Sequence, residues 1–382
     1  MPNEDISIRG ITWDHIRGYG PLEASVTPYK EQKGIQIHWS KRNLKDFGDT
    51  SLDKLAQEYD LIIMDHPHVG TASVTRCVMP MDEILNTEIL EETLQNSVGP
   101  SFDSYTYDNH LWALPIDAAC QVSCYREDLL KELPIPQTWS DVFGLSDHLK
   151  TQDKHVGMAL CPTDCACCFL TLCAQAGDPF QEHKLPSFST AEYALTLLQK
   201  LSVYCHPESR EWNPIGLYDY MVQTHKVAYC PLAFGYTNYA RVGYGKKQLH
   251  YGDIPDKRHA ILGGAGIAVS KFSGNISHAA AYAAWVCSEK FQSTTYVEAG
   301  GQPAHKKAWK NKEADKIAGH FFSETLSTIE TAYVRPRTRH WPIFQEELGA
   351  IIHSCITKNT SPEKTWKEIV GSYKYFLMKL LR

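Results

Sequence analysis

Two short stretches concentrate residue types that bind polar ligands. Trp13, Asp14, His15 and Arg17 fall in ISIRGITWDHIRGYG, and Asp65, His66 and His68 in DLIIMDHPHVG. A carboxylate can accept two hydroxyls, a guanidinium can fork onto a carboxylate or phosphate, and an indole can stack on the apolar face of a sugar. Aspartate and histidine together also suit Zn, Fe or Mn. No tight ligand spacing such as H-x₃-H accompanies them, so hydrogen bonding to a polar ligand is the better reading and no metal is expected. Pro67 fixes the turn between the two histidines.

Both stretches need a strand to deliver them. Ile6, Ile8 and Ile11 read as one strand that breaks into a polar, glycine-rich turn, and Leu61 to Met64 as a buried one. In an open α/β sheet ligands bind beyond the carboxyl ends of the strands, so two strands delivering Asp-His to one edge suggest one site. Further strands are expected at Ile35–Trp39, Val156–Leu160, His225–Leu232 and Ala260–Ser270. Leu111–Arg126 reads as a strand-like run interrupted by Pro115. Helices are expected at Ser51–Tyr59, Thr163–Ala176, Ala191–Tyr204 and His278–Ser288, after a cap at Ser140, and over most of Trp341–Leu381 with a cap at Ser361. The alternation predicts α/β architecture from end to end.

The 382 residues make two domains the prior. Apolar content of 43% with 21% charged residues is that of a globular protein, and a net charge of −6 leaves no basic footprint for nucleic acid. No stretch approaches a membrane span. The opening MPNEDISIRG lacks the basic region and apolar core of a signal peptide, and 12 Cys without disulfide-like spacing lean toward a reducing compartment.

Other candidates carry plainer explanations. Cys161, Cys165, Cys167, Cys168 and Cys173 match no paired C-x₂-C knuckle and read as small core residues. The helix start at Pro162–Thr163–Asp164 could offer free N–H groups to an anionic ligand group. Gly263, Gly264 and Gly266 lack the Lys-Ser/Thr of a phosphate loop, so close backbone approach explains them better and no cofactor is expected. In RPRTRHW, one of Arg335, Arg337 and Arg339 could reach a ligand, with Trp341 beside them.

The order of several segments resembles the solute-binding proteins of ABC importers, the maltose-binding-like family 1. LPIDAACQVSCYREDLL (Leu114–Leu130) is similar to the family's crossover strand, with Arg126 where Asn is usual; PQTWSDV (Pro136–Val142) to its P-x-T-W-D-E helix start. LGGAGIAVS resembles the return strand, GQPAHKKAW the G-x-x-P turn, and Ser361–Ile369 the closing helix.

The resemblance implies a two-lobed, periplasmic-binding-protein-like (type II) α/β fold with discontinuous lobes joined by hinge crossovers near Pro115–Ala119, His259–Gly263 and Trp309–Lys316. Residues 1–116 and 261–310 would form one lobe, 117–260 and 311–382 the other, with a ligand cleft between them. It adds Asp117, Asp164, Phe234, Gly235, Tyr236, Gly301 and Gln302 to the expected ligand residues. It implies a monomer that binds a carbohydrate-like solute without catalysis, docks on ABC permease subunits and works outside the cytoplasm. The His- and Arg-rich loops keep a sugar acid open as the ligand. The alternative is a cytosolic enzyme or ligand sensor on the same fold; a metal-ion carrier would rest on the Asp/His loops alone.

Overall fold

The computed structural model describes residues 6–43 and 51–380. In chain order its principal strands are β1 (Ser7–Trp13), β2 (Gln36–Arg42), β3 (Leu61–Met64), β4 (Leu114–Tyr125), β5 (His155–Val156), β6 (Val227–Phe234), β7 (His250–Gly252) and β8 (Leu262–Val269). The helices that matter for the site are α1 (Ile16–Lys33), α2 (Leu52–Glu58), α3 (Pro162–Gln175), α4 (Phe188–Tyr204), α5 (Pro214–Gln223), α6 (Trp341–Lys358) and α7 (Pro362–Leu380).

The chain divides into two compact units. The first holds residues up to Ala119, Gly263–Ala318 and Arg337–Arg339; the second holds Cys120–Leu262, Gly319–Pro336 and the chain from His340. The changes of unit at Ala119 and Leu262 fall inside β4 and β8.

In the first unit β1 pairs in parallel with β2 on one side, Ser7 opposite Gln36 through Trp13 opposite Arg42, and with β3 on the other, Ile11 opposite Ile62. β8 runs antiparallel to β3. Leu61, Ile62 and Ile63 are fully buried, as a strand covered on both faces requires, and each such aliphatic side chain contributes about 1.5–3 kcal/mol.

The segment after Trp13 is a long helix where a glycine-rich turn was expected. Gly18, Gly20, Pro21 and Pro28 all lie within α1 and oppose helix on propensity. Tertiary burial overrides them. Leu22, Ser25 and Tyr29 are buried, with the Tyr29 ring 4.9 Å from Tyr282 and 5.1 Å from Trp285. Gly18 has a packing reason: a Cβ there would come within 2.3 Å of the Trp13 ring.

The second unit pairs β4 with β6 and β7 antiparallel, and β5 with β6 in parallel. Its central helix is α3, buried at every residue from Asp164 to Ala174. β4 is continuous across the expected break, because Pro115 stands at its second residue, where a missing N–H costs little. The cap expected at Ser140 is Thr138, which forms a reciprocal capping box with Asp141 and makes Trp139 the first helical residue. Arg126 is fully buried: it forks onto Asp128 (2.8 and 2.9 Å) and donates to the Thr224 (2.8 Å) and Met221 carbonyls at the end of α5.

Candidate functional site

The parallel strands β1, β2 and β3 open on one edge, and the Asp14 and Asp65 loops leave from it. Asp14 donates its backbone N–H to the Arg42 carbonyl at the end of β2 (2.7 Å). Its exposed carboxylate pairs with Lys41 at 2.9 Å, a contact of little energetic weight in water.

His15 caps α1: its Nδ1 accepts the Arg17 N–H at 3.1 Å. That bond fixes the tautomer with the proton on Nε2. Burial, together with the Arg17 charge, pushes the imidazole down to about 4, so His15 is a neutral donor at pH 7.

Arg17 is 4% exposed and Asp117 2%. Arg17 Nε donates to Asp117 Oδ2 at 2.8 Å and Nη2 to Oδ1, a bidentate fork. Burial pushes the Asp117 carboxyl up, Arg17 pulls it back, and the nearby Asp65 charge adds to the rise. The Asp117 backbone is held on both sides. Gln302 donates to the Ala118 carbonyl at 2.8 Å, and Gln292 to the Ile116 carbonyl at 3.1 Å. Gly264, at φ 106°, lies so close to the Asp117 carbonyl that a Cβ would meet it at 2.3 Å.

After β3, Asp65 accepts the His66 N–H at 2.8 Å and caps a short 3₁₀ turn, His66–His68. His66 is fully buried, edge-on to Tyr105; His68 is half-buried. The Asp65 side chain keeps 27% of its surface exposed.

The structure therefore brings together His15, Arg17, Asp65 and Asp117 at one sheet edge. Two of the expected ligand residues have partners within the fold. Trp13 is 6% exposed and packed under Gly18, so it is no open stacking face. Arg17 directs its fork at Asp117 and holds the site's geometry. Gln302 and the buried Gly301, packed on Tyr296, serve backbone placement. Gln292 was missed, since a lone glutamine in a helix carries no signal.

In the second unit the expected residues fall in separate settings. Asp164 is buried in the first turn of α3, accepts from the Cys161 thiol at 3.1 Å and is pushed up to about 6 by burial. The Phe234 carbonyl accepts from Tyr218 (2.8 Å), Gly235 donates to Cys120 (3.1 Å), and the Tyr236 carbonyl accepts from Tyr251 (3.0 Å). Arg335 and Trp341 both donate to Gln345, and Trp341 is a core ring against Phe180 and Phe344 instead of a ligand platform. Arg337, in the first unit, caps the carbonyls of Asp103, Ser104 and Thr106.

Among the described residues no three of His, Cys, Asp and Glu come together to hold a metal ion. A depression of about 590 Å³ lined by Tyr29, Lys33, Ile35, Ile89 and Trp285 lies at the amino ends of β1 and β2, away from the Asp/His edge. We place the candidate site at the carboxyl edge, because the polar groups converge there.

No family model matches the chain, and no curated protein matches its sequence. Solved structures do match. An ABC transporter solute binding protein from Agrobacterium radiobacter K84, in complex with ribitol, superimposes with a TM-score of 0.82 at 17% identity, over 98% of this chain and 100% of that one. The chain has the fold of these solute-binding proteins. Maltose-bound MalE3 of T. maritima gives 0.81 at 17% identity over 97% and 99%. A solute binding protein from Thermotoga lettingae TMO, bound with α-D-tagatose, gives 0.81 at 16% over 97% and 100%.

Proposed function

We propose that the chain is the solute-binding component of an ABC-type importer, that it takes a small neutral polyhydroxylated solute, and that it does no chemistry on it. The observation that carries this reading is the charge balance at the carboxyl edge of the first unit. Arg17, the cation that could have met a ligand carboxylate, is turned onto buried Asp117. What remains is a neutral imidazole donor at His15 and carboxylate acceptors at Asp65 and Asp14. Hydroxyls satisfy both kinds of group, whereas a sugar acid would meet the Asp65 and Asp14 carboxylates with Lys41, already paired with Asp14, as the cation at hand. The solved proteins of this fold that carry ribitol, tagatose, maltose and mannitol point the same way. Delivery to permease subunits follows from the same reading.

Thermal-shift screening of sugars, sugar alcohols, sugar acids and divalent metals tests it. A neutral sugar or polyol at 100 times its Kd should stabilise the protein by about 2.7 kcal/mol and be recovered unchanged by chromatography. Conversion of the ligand would overturn the binding reading, and a response confined to sugar acids or metals would overturn the ligand class.

A further inference from the structure

Twelve free cysteines run through the chain, eleven of them buried. Cys161, Cys165, Cys167, Cys168 and Cys173 share the α3 segment, where one helix holds their Cα atoms in fixed directions. Cys124 and Cys230 differ. They are direct partners across the antiparallel pair of β4 and β6, next to the pair Tyr125–Tyr229. Both are 0% exposed. Directly opposed residues of antiparallel strands have Cα atoms about 4.5–5.5 Å apart, inside the 4.4–6.8 Å that a disulfide spans. Both side chains leave the same face of the pair, because opposed residues share a face.

We infer that Cys124 and Cys230 form a redox pair: two thiols in a reducing medium, and one cross-strand disulfide when the chain folds with a low-molecular-weight disulfide present. The thiolate of one cysteine attacks the reagent RSSR, forming a mixed disulfide and releasing one RSH after protonation. The second cysteine, as thiolate, attacks the protein sulfur of that mixed disulfide and releases the second RSH. Two electrons and two protons pass from the cysteine pair to the reagent. The native pair excludes water, and burial, with each thiol beside the other, pushes the Cys124 thiol well up. Exchange therefore happens before β4 and β6 close on each other, and the finished bond is shielded from reductant afterwards. The bond ties together the two strands of the second unit that frame α3 and α5 in sequence, without touching the proposed solute site.

The test is refolding of the full chain from denaturant with glutathione disulfide or with dithiothreitol. The folded monomer is isolated by gel filtration, unfolded in N-ethylmaleimide and mapped by mass spectrometry. The oxidised sample should contain one disulfide, linking the Cys124 and Cys230 peptides, with every other cysteine alkylated; the reduced sample should be alkylated throughout. The oxidised protein should unfold at higher urea. Cys124→Ala and Cys230→Ser, prepared separately so that one misfolding variant does not decide the matter, should each show no disulfide and the same urea midpoint in both media. Full alkylation of the oxidised wild type, or a bond between other cysteines, overturns the assignment.

Discussion

Each unit buries one arginine in a fork with an aspartate, and the carboxylates respond in opposite directions. Asp128 keeps 43% of its side-chain surface exposed, has Lys247 at 3.2 Å as a second cation, and is held at about 2 by Arg126. Asp117 is almost wholly buried with Arg17 as its paired cation, and burial drives its carboxyl up despite that partner. Water left at Asp128 carries the cost of its charge; at Asp117 only Arg17 and the surrounding dipoles can. The same pair of residue types is thus a helix-end clamp in the second unit and a finely balanced charge beneath the proposed site in the first.

Substitutions can break this contrast, beginning with the largest effect. Arg17→Met strands the Asp117 charge and should cost about 3–5 kcal/mol, read by urea unfolding. Adding Asp117→Leu should recover most of that loss, since an apolar pair can replace a buried ion pair. Arg126→Met leaves the Met221 and Thr224 carbonyls without their donor and should cost about 1–3 kcal/mol, with no recovery on adding Asp128→Leu.

His15 sharpens the contrast through pH. Its folded value of about 4 lies below the unfolded 6.5. Below pH 6.5 the unfolded chain therefore takes up a proton that the folded chain refuses, and stability falls as pH drops toward 4. His15→Asn keeps a capping oxygen and should flatten that part of the stability–pH profile. The smallest effect belongs to Asp128→Asn, within about 1 kcal/mol, because the Asp128 side of the pair is open to solvent and Arg126 keeps its two carbonyl acceptors. That contribution is present above the unfolded 3.8 and lost as pH falls toward 2.

The strands that lead to the proposed site were legible because Ile8, Ile11 and Leu61–Met64 carry clear apolar patterns ending in polar residues. α1 was not, because Gly18, Gly20, Pro21 and Pro28 disguise a helix stabilised by Tyr29 packing against Tyr282 and Trp285. The residue types at the candidate site stand in the sequence, but their burial does not. Trp13 and Trp341 look like ligand platforms in sequence and prove to be core rings, while Arg17 finds its partner 100 positions away at Asp117. Such long-range pairing leaves no local signal.

The central claim is that a neutral polyhydroxylated solute is held at the carboxyl edge of the first unit's sheet. Isothermal titration of the best sugar or sugar alcohol from the screen, against wild type, Asp65→Asn and Asp128→Asn, tests it most directly. Affinity should fall about 10- to 100-fold in Asp65→Asn, the weight of a charge-assisted hydrogen bond, and stay at the wild-type value in Asp128→Asn. Equal affinities in all three proteins would contradict the placement of the site.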